Sequence, residues 1–171
     1  MNGNIPFSAA SFRKQSRVLR STIKSRRISA EMTNELIHLQ SEYNAFCQRV
    51  SPSRQLYAFL TKPHDDGSPH VEYIDDKFHY IVTERGSEND RRSTADTGEI
   101  LYWMLNDLLF WMSVSYELKH RVEGQDCRRI MFARRIELMR NVGRKFTERL
   151  EQEIALTLVH NPFVDDTAGI K

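Results

Sequence analysis

Apolar residues recur at spacings of 4, 3, 4, 3 and 4 from Met32 through Leu36, Leu39, Tyr43 and Phe46 to Val50. That is the stripe of an amphipathic helix. Ser29 is the expected N-cap, Glu31 suits a first turn, and Ser51-Pro52-Ser53 ends the helix. The stripe is expected to pack on the remainder of the domain; a coiled-coil homodimer is the alternative use of it.

The period then shortens to two. Residues 56–61 are apolar and aromatic, 62–69 form a loop dense in turn formers, and 70–74 alternate polar with apolar. After a turn at 75–77, residues 78–84 alternate again, with Phe78, Tyr80 and Val82 on one face and His79, Ile81 and Thr83 on the other. These segments predict a three-stranded antiparallel meander with one face covered.

Arg85-Gly86 and a polar link over 87–94 lead to Ser93 or Thr94 as the expected cap of a long helix at about 97–120. That helix is apolar on nearly all sides. A membrane span is rejected because Asp107, near its centre, would cost about 2.5–3.5 kcal/mol on insertion scales. It reads instead as a buried central helix, with Trp103 and Phe110, seven residues apart, facing the sheet. Gly124 interrupts the pattern. Asp126 caps a third helix carrying Ile130, Ile136, Met139 and Val142, and Gly143 separates it from a fourth with the stripe Phe146, Leu150, Ile154 and Leu158. The fold class expected is therefore α+β and helix-dominated: a small antiparallel three-stranded meander packed against about four helices. Its expected core aromatics are Tyr80, Trp103, Phe110, Tyr116 and Phe132.

Charge divides the chain. Seven of the 25 Lys and Arg, and none of the 23 Asp and Glu, lie in residues 1–30, so the remainder carries 18 basic against 23 acidic residues. With so little to bury, residues 1–31 are expected to be a disordered basic extension, 32–165 a single domain, and 166–171 a loose tail. The extension admits three readings: a nucleic-acid-binding arm, an organellar transit segment, or sequence upstream of a true start at Met32. It has no apolar h-region, so it is not a secretory signal. The two cysteines, Cys47 and Cys127, cannot build a disulfide scaffold or a four-ligand zinc site. They read as buried thiols of a reducing compartment, in a soluble, intracellular domain.

Candidate chemistry is sparse. His64, Asp65, Asp66, His70, Asp75, Asp76 and His79 lack metal-ligand spacing and read as turn acids and histidines on a solvated strand face. No phosphate-binding glycine loop or nucleophile motif is present, so no catalytic residue, metal or cofactor is expected. The conspicuous feature is a density of ion-pairing residues: Glu84, Arg85, Arg91, Arg92, Glu117, Arg121, Asp126, Arg128 and Arg129. If they converge, they either hold helix ends against the sheet or form a partner-binding hot spot. Glu84, Arg92, Glu117 and Arg121 in particular are expected close together.

Residues 80–86, Arg92-Ser93-Thr94, Leu101-Tyr102-Trp103, Tyr116-Glu117-Leu118, His120-Arg121, Asp126-Cys127-Arg128-Arg129, Phe132 and residues 160–163 follow one another in an order that resembles the immunity protein 63 family. The resemblance covers about 32–165. Cys127 departs from it, standing where an aromatic such as Phe is expected, and the basic extension has no counterpart. The resemblance implies a small cytoplasmic protein of bacterial polymorphic toxin systems that binds and blocks a cognate toxin domain without turnover. It implies neither a membrane nor a nucleic-acid partner. The alternative is a nucleic-acid-binding or regulatory module that uses the basic extension and the arginines of the last two helices: Arg128, Arg129, Arg134, Arg135, Arg140, Arg144, Lys145 and Arg149, against Glu137 and Glu148.

Overall fold

The computed structural model describes residues 32–50 and 58–165. The expected basic extension, Ser29, the Ser51-Pro52-Ser53 stop, the first two residues of the expected strand at 56–61 and the tail from 166 lie outside them. The first helix, α1 (Asn34–Val50), starts where the hydroxyl of Thr33 accepts the Leu36 N–H at 3.3 Å. The cap thus falls four residues after Ser29. Leu36, Leu39, Tyr43, Cys47 and Val50 are buried, as the stripe requires, whereas Met32 precedes the helix and is exposed. At its far end Arg49 donates to the carbonyl of Val142 at 3.0 Å, satisfying an end carbonyl of another helix.

The sheet is a three-stranded antiparallel meander in the order β1 (Asp66–Ile74), β2 (Lys77–Glu84), β3 (Ser87–Thr94). The architecture is the expected one, but its first and last strands are displaced along the chain. Residues 58–61 form no strand and contribute one ladder-like bond, from the Val71 N–H to the Leu60 carbonyl at 2.8 Å. The residues read as a polar link are instead β3. Both hairpins turn through two residues of positive φ, Asp75-Asp76 (50° and 58°) and Arg85-Gly86 (52° and 76°). Such turns match the twist of the strands and set the pairing directly. Having no apolar side chain, β3 is held by its backbone ladder to β2 and gives no periodic signal. A bulge where Val82 pairs Asp90 but Thr83 pairs Glu88 puts one extra residue into this edge strand. Glu88 and Arg91, three apart, thereby reach the same side and form a bidentate pair at 2.8 Å.

Helix α2 (Thr97–His120) is the central element. Its cap is Asp96, whose carboxylate accepts the Gly98 N–H at 2.7 Å; Ser93 and Thr94 end β3. Ile100, Leu101, Tyr102, Leu105, Leu108 and Leu109 are buried between the sheet and the helices α3 (Cys127–Val142) and α4 (Arg144–His160). Asp126 caps α3 as expected, accepting the Arg128 N–H at 3.0 Å. Leu150 and Ile154 of α4 are buried, with Phe146 and Leu158 packed beside them. Among the described residues no helix is long and apolar enough to cross a membrane.

Of the expected core aromatics, Tyr80 is buried on the sheet's inner face with Phe78; Trp103, Phe110 and Phe132 are half-buried. Tyr116 is exposed, stacked on His120 with centroids 3.9 Å apart and covered by Arg134. The buried line of α2 runs through Leu109, Ser113 and Glu117 at i, i+4, and Tyr116 lies about 100° around the helix from it. Ile81 is buried on the outer face, so both faces of β2 are covered at that position. His70, expected on a solvated strand face, is buried as well. Cys47 is buried as expected, but Cys127, first residue of the exposed start of α3, faces solvent.

Candidate partner-binding site

The nine expected network residues do not converge. Arg92 lies 4.5 Å over the ring of Tyr80 and 5.2 Å over Trp103, near the start of α2, and pairs with Asp90 at 3.1 Å. Glu117 and Arg121 form a bidentate pair (2.8 and 3.0 Å) fourteen or more residues further along the helix, about 20 Å away. Glu84 meets only its neighbour Arg85, at 3.7 Å, on the exposed hairpin end. Arg91 is engaged by Glu88. Expecting Glu84, Arg92, Glu117 and Arg121 together failed because nearness in sequence to helix and strand ends does not put those ends side by side.

Asp126, Arg128 and Arg129 do come together, around the end of the chain described. Arg128 donates to the carbonyls of Asn161 and Pro162, both at 2.9 Å, and Arg129 grips Asp165 at 3.0 and 2.7 Å. Asp126 accepts from the Val164 N–H at 2.9 Å, and Arg129 lies 4.3 Å over Phe163. The Arg128 guanidinium and these backbone donors hold the Asp126 carboxyl far below the usual carboxylate range. This group fastens residues 161–165 to the start of α3.

A second polar group went unread in the sequence because its members are 50 residues apart. Arg149 of α4 is bidentate to Glu99 of α2, its Nη2 at 2.9 Å, while its Nε donates to Glu153 at 3.0 Å. The other oxygen of Glu153 accepts the Tyr102 hydroxyl at 2.6 Å, and the guanidinium lies 3.8 Å over the Tyr102 ring. The remaining arginines of the last two helices are similarly engaged: Arg134 with Glu137, Arg135 with Asn106, Arg140 with Glu151, and Arg144 with Glu148.

One carboxylate stands apart. Asp107, met in the sequence only as an obstacle to a membrane span, lines a cleft of about 330 Å³. The walls are Leu60 and Val71, Tyr43 of α1, Tyr80 of β2, and Met104, Leu108 and Trp111 of α2. The lip is a bulge at 66–69, where β1 spends one residue more than β2 and Gly67 takes φ 86°. Among the described residues Asp107 has neither a hydrogen bond nor an ion pair. Burial pushes its carboxyl up, while Arg92 and Arg135, acting through space, pull it back down. The buried hydroxyls of Tyr43 and Tyr80 are both pushed up by burial.

The mouth of the cleft opens onto apolar surface. Trp111 is 52% exposed and Leu118 62% exposed. Seven residues apart, they lie on one side of α2 about 10 Å from each other, with Val114 half-buried between them and exposed Val122 just past the helix end. A cleft beside a protruding tryptophan and aliphatic side chains, with ion pairs around it, has the anatomy of a recognition surface.

The chain's relationships agree with that class. The family described as Immunity protein 63 matches residues 75–156, from the β1–β2 turn into α4, and includes both Asp107 and Trp111. Over that stretch, just under half of its length, the chain is similar to the immunity protein 63 family, a family that points to toxin immunity in general. No curated protein and no solved structure matches it.

Proposed function

We propose that this chain is a cytoplasmic immunity protein that binds a cognate toxin domain and blocks it stoichiometrically, without catalysis of its own. The observation that carries the reading, beside the family, is the exposed α2 ridge of Trp111 and Leu118 adjoining a cleft whose carboxylate has no partner. A specific interface of ordinary size buries about 1,600 Å² in total, with its energy concentrated in a few central aromatic and charged residues. The ridge and cleft supply such a centre.

Nucleic-acid binding, the alternative, draws no support from the arginines of the last two helices. Nearly all of them already face a carboxylate, so few are free to displace counterions from phosphate. The test is co-expression. Cells producing the toxin domain encoded beside this chain should survive only when the chain is present, and calorimetry should give a one-to-one complex. Toxicity undiminished by the chain would refute the proposal, and salt-steep binding to duplex DNA would restore the alternative.

A further inference from the structure

We infer that the cleft beneath Trp111 receives a lysine or arginine side chain of the partner protein, with the Asp107 carboxylate as its counter-ion. This rests on the proposed function and specifies its contact. The chemistry of the cleft is one-sided: among the described residues its lining includes two carboxylates, Asp107 and Asp66, and no lysine, arginine or histidine. Asp66 is occupied, since its oxygen accepts the Ser68 N–H at 2.9 Å within the lip. Asp107 is not occupied, although more than half withdrawn from water. A half-buried carboxylate left without a hydrogen bond or counter-ion is held at a cost to the fold, and a cation delivered by a partner lowers that cost on binding.

Shape agrees with charge. Asp107 and Trp111 are four residues apart on α2, so the two lining residues are separated by about 6 Å along the axis, close to the reach of an extended lysine side chain. The walls between them, Leu60, Met104 and Leu108, suit the methylene stem of such a residue. The lining also includes the half-exposed Trp111, an aromatic residue of the kind that attracts cations. The volume of about 330 Å³ is roughly eleven times a water's share of the liquid, ample for the five or seven side-chain heavy atoms of lysine or arginine. The two guanidinium groups that act on Asp107 are committed elsewhere, Arg92 against Asp90 and two rings, Arg135 to Asn106 at 2.7 Å. They pull the Asp107 carboxyl back towards its ordinary range, against burial, without filling the cleft.

The test uses the full chain and two small probes of equal shape, N-ethylguanidinium and neutral N-ethylurea, followed by the indole N–H resonance of Trp111 and the amide of Gly67. N-ethylguanidinium should bind saturably and at least tenfold more tightly than N-ethylurea, and Asp107→Asn should abolish that preference. In the unmutated chain the preference should also disappear on acidification, above the ordinary carboxylate range. The groups facing Asp107 are Arg92 from β3, Arg135 from α3, and Tyr43 from α1 and Tyr80 from β2, whose buried hydroxyls are both pushed up. Asp66 on the lip is held below its ordinary range by the Ser68 N–H. A loss only at the lower pH would assign the preference to Asp66 and overturn the inference. Equal binding of the two probes, no saturable binding, or an unaffected Asp107→Asn would overturn it as well. Because the probes need no toxin, the outcomes separate: probe binding without cell protection refutes the immunity reading alone, and protection without probe binding refutes this inference alone.

Discussion

One substitution made at two places on α2 separates what this helix does for the fold from what it does for a partner. Leu105 is wholly buried, whereas Leu118 is 62% exposed. Leu105→Ala removes a fully buried side chain and leaves a cavity, a loss of about 3–5 kcal/mol. At a urea m-value of about 2 kcal/mol/M that lowers the unfolding midpoint by about 1.5–2.5 M. Leu118 has little more than a third of its surface buried. With complete burial of a leucine contributing about 1.5–3 kcal/mol, Leu118→Ala should cost at most about 1 kcal/mol. In complex formation the order reverses. The exposed part of Leu118 would contribute about 1–2 kcal/mol if covered by the toxin, a loss of roughly five- to thirtyfold in affinity. Leu105→Ala, measured near about 15 °C where stability is close to its maximum and folding is verified by circular dichroism, should bind as the parent does. Equal midpoint shifts in the two variants would refute the assignment of Leu118 to the surface. Toxin affinity unchanged within twofold in Leu118→Ala would refute the ridge as the docking surface.

Asp107→Asn should stabilise the protein at pH 7. The folded-state carboxyl titrates above its unfolded value of about 3.9, so its contribution is present below that value and is lost as pH rises through the raised one. The difference in urea midpoint between variant and parent should therefore grow with pH in that window; a flat or opposite difference would show that Asp107 is not desolvated. Tyr102→Phe deletes the bond to Glu153 at 2.6 Å and should cost about 1–2 kcal/mol, the lower part of the range for a charged acceptor, because Glu153 is partly exposed and keeps Arg149. Faster amide exchange should then be confined chiefly to α4, and unchanged exchange would mean that the Glu99–Arg149–Glu153 group holds that helix unaided. Removal of residues 1–31, which carry seven basic groups and one acid, should leave both the unfolding midpoint and toxin protection intact. A folded fragment that no longer protects would place those residues in the complex.

The helices were legible because their signal is local. The α1 stripe, the all-round apolar α2, and the i, i+4 run of Leu150 and Ile154 each state a helix and a buried face within a single segment. The sheet was legible only in its middle. In β2 the alternation of Phe78, Tyr80 and Val82 reports the covered face, but β3 buries nothing of its own, and its strand conformation is imposed by a two-residue turn and a neighbour's ladder. Residues 58–61 err in the opposite direction: aromatic and apolar, they line the cleft and the core without joining the ladder beyond one bond. Ion pairs were legible as residues and illegible as pairs. Glu117 with Arg121 follows from helix spacing, whereas Glu99 with Arg149 needs the packing of α4 on the rest of the bundle.

Asp107 shows what kind of sequence feature deserves a second reading at a candidate site. It interrupts the most apolar stretch of the chain, and its weight against a membrane span was taken as its whole meaning. A soluble core accepts a carboxylate no more readily than a bilayer does unless a partner is at hand, so the same free-energy argument asks where that partner is. The described residues supply Glu99 with Arg149, Asp126 with Arg128 and Asp165 with Arg129, and they supply Asp107 with nothing but distant guanidinium fields. Local departures from what the fold prefers gather where a protein does its work. Among the described residues, where the other carboxylates near the core are answered from within, the unanswered one, beside an exposed tryptophan, is the place where the inferred answer would come from outside.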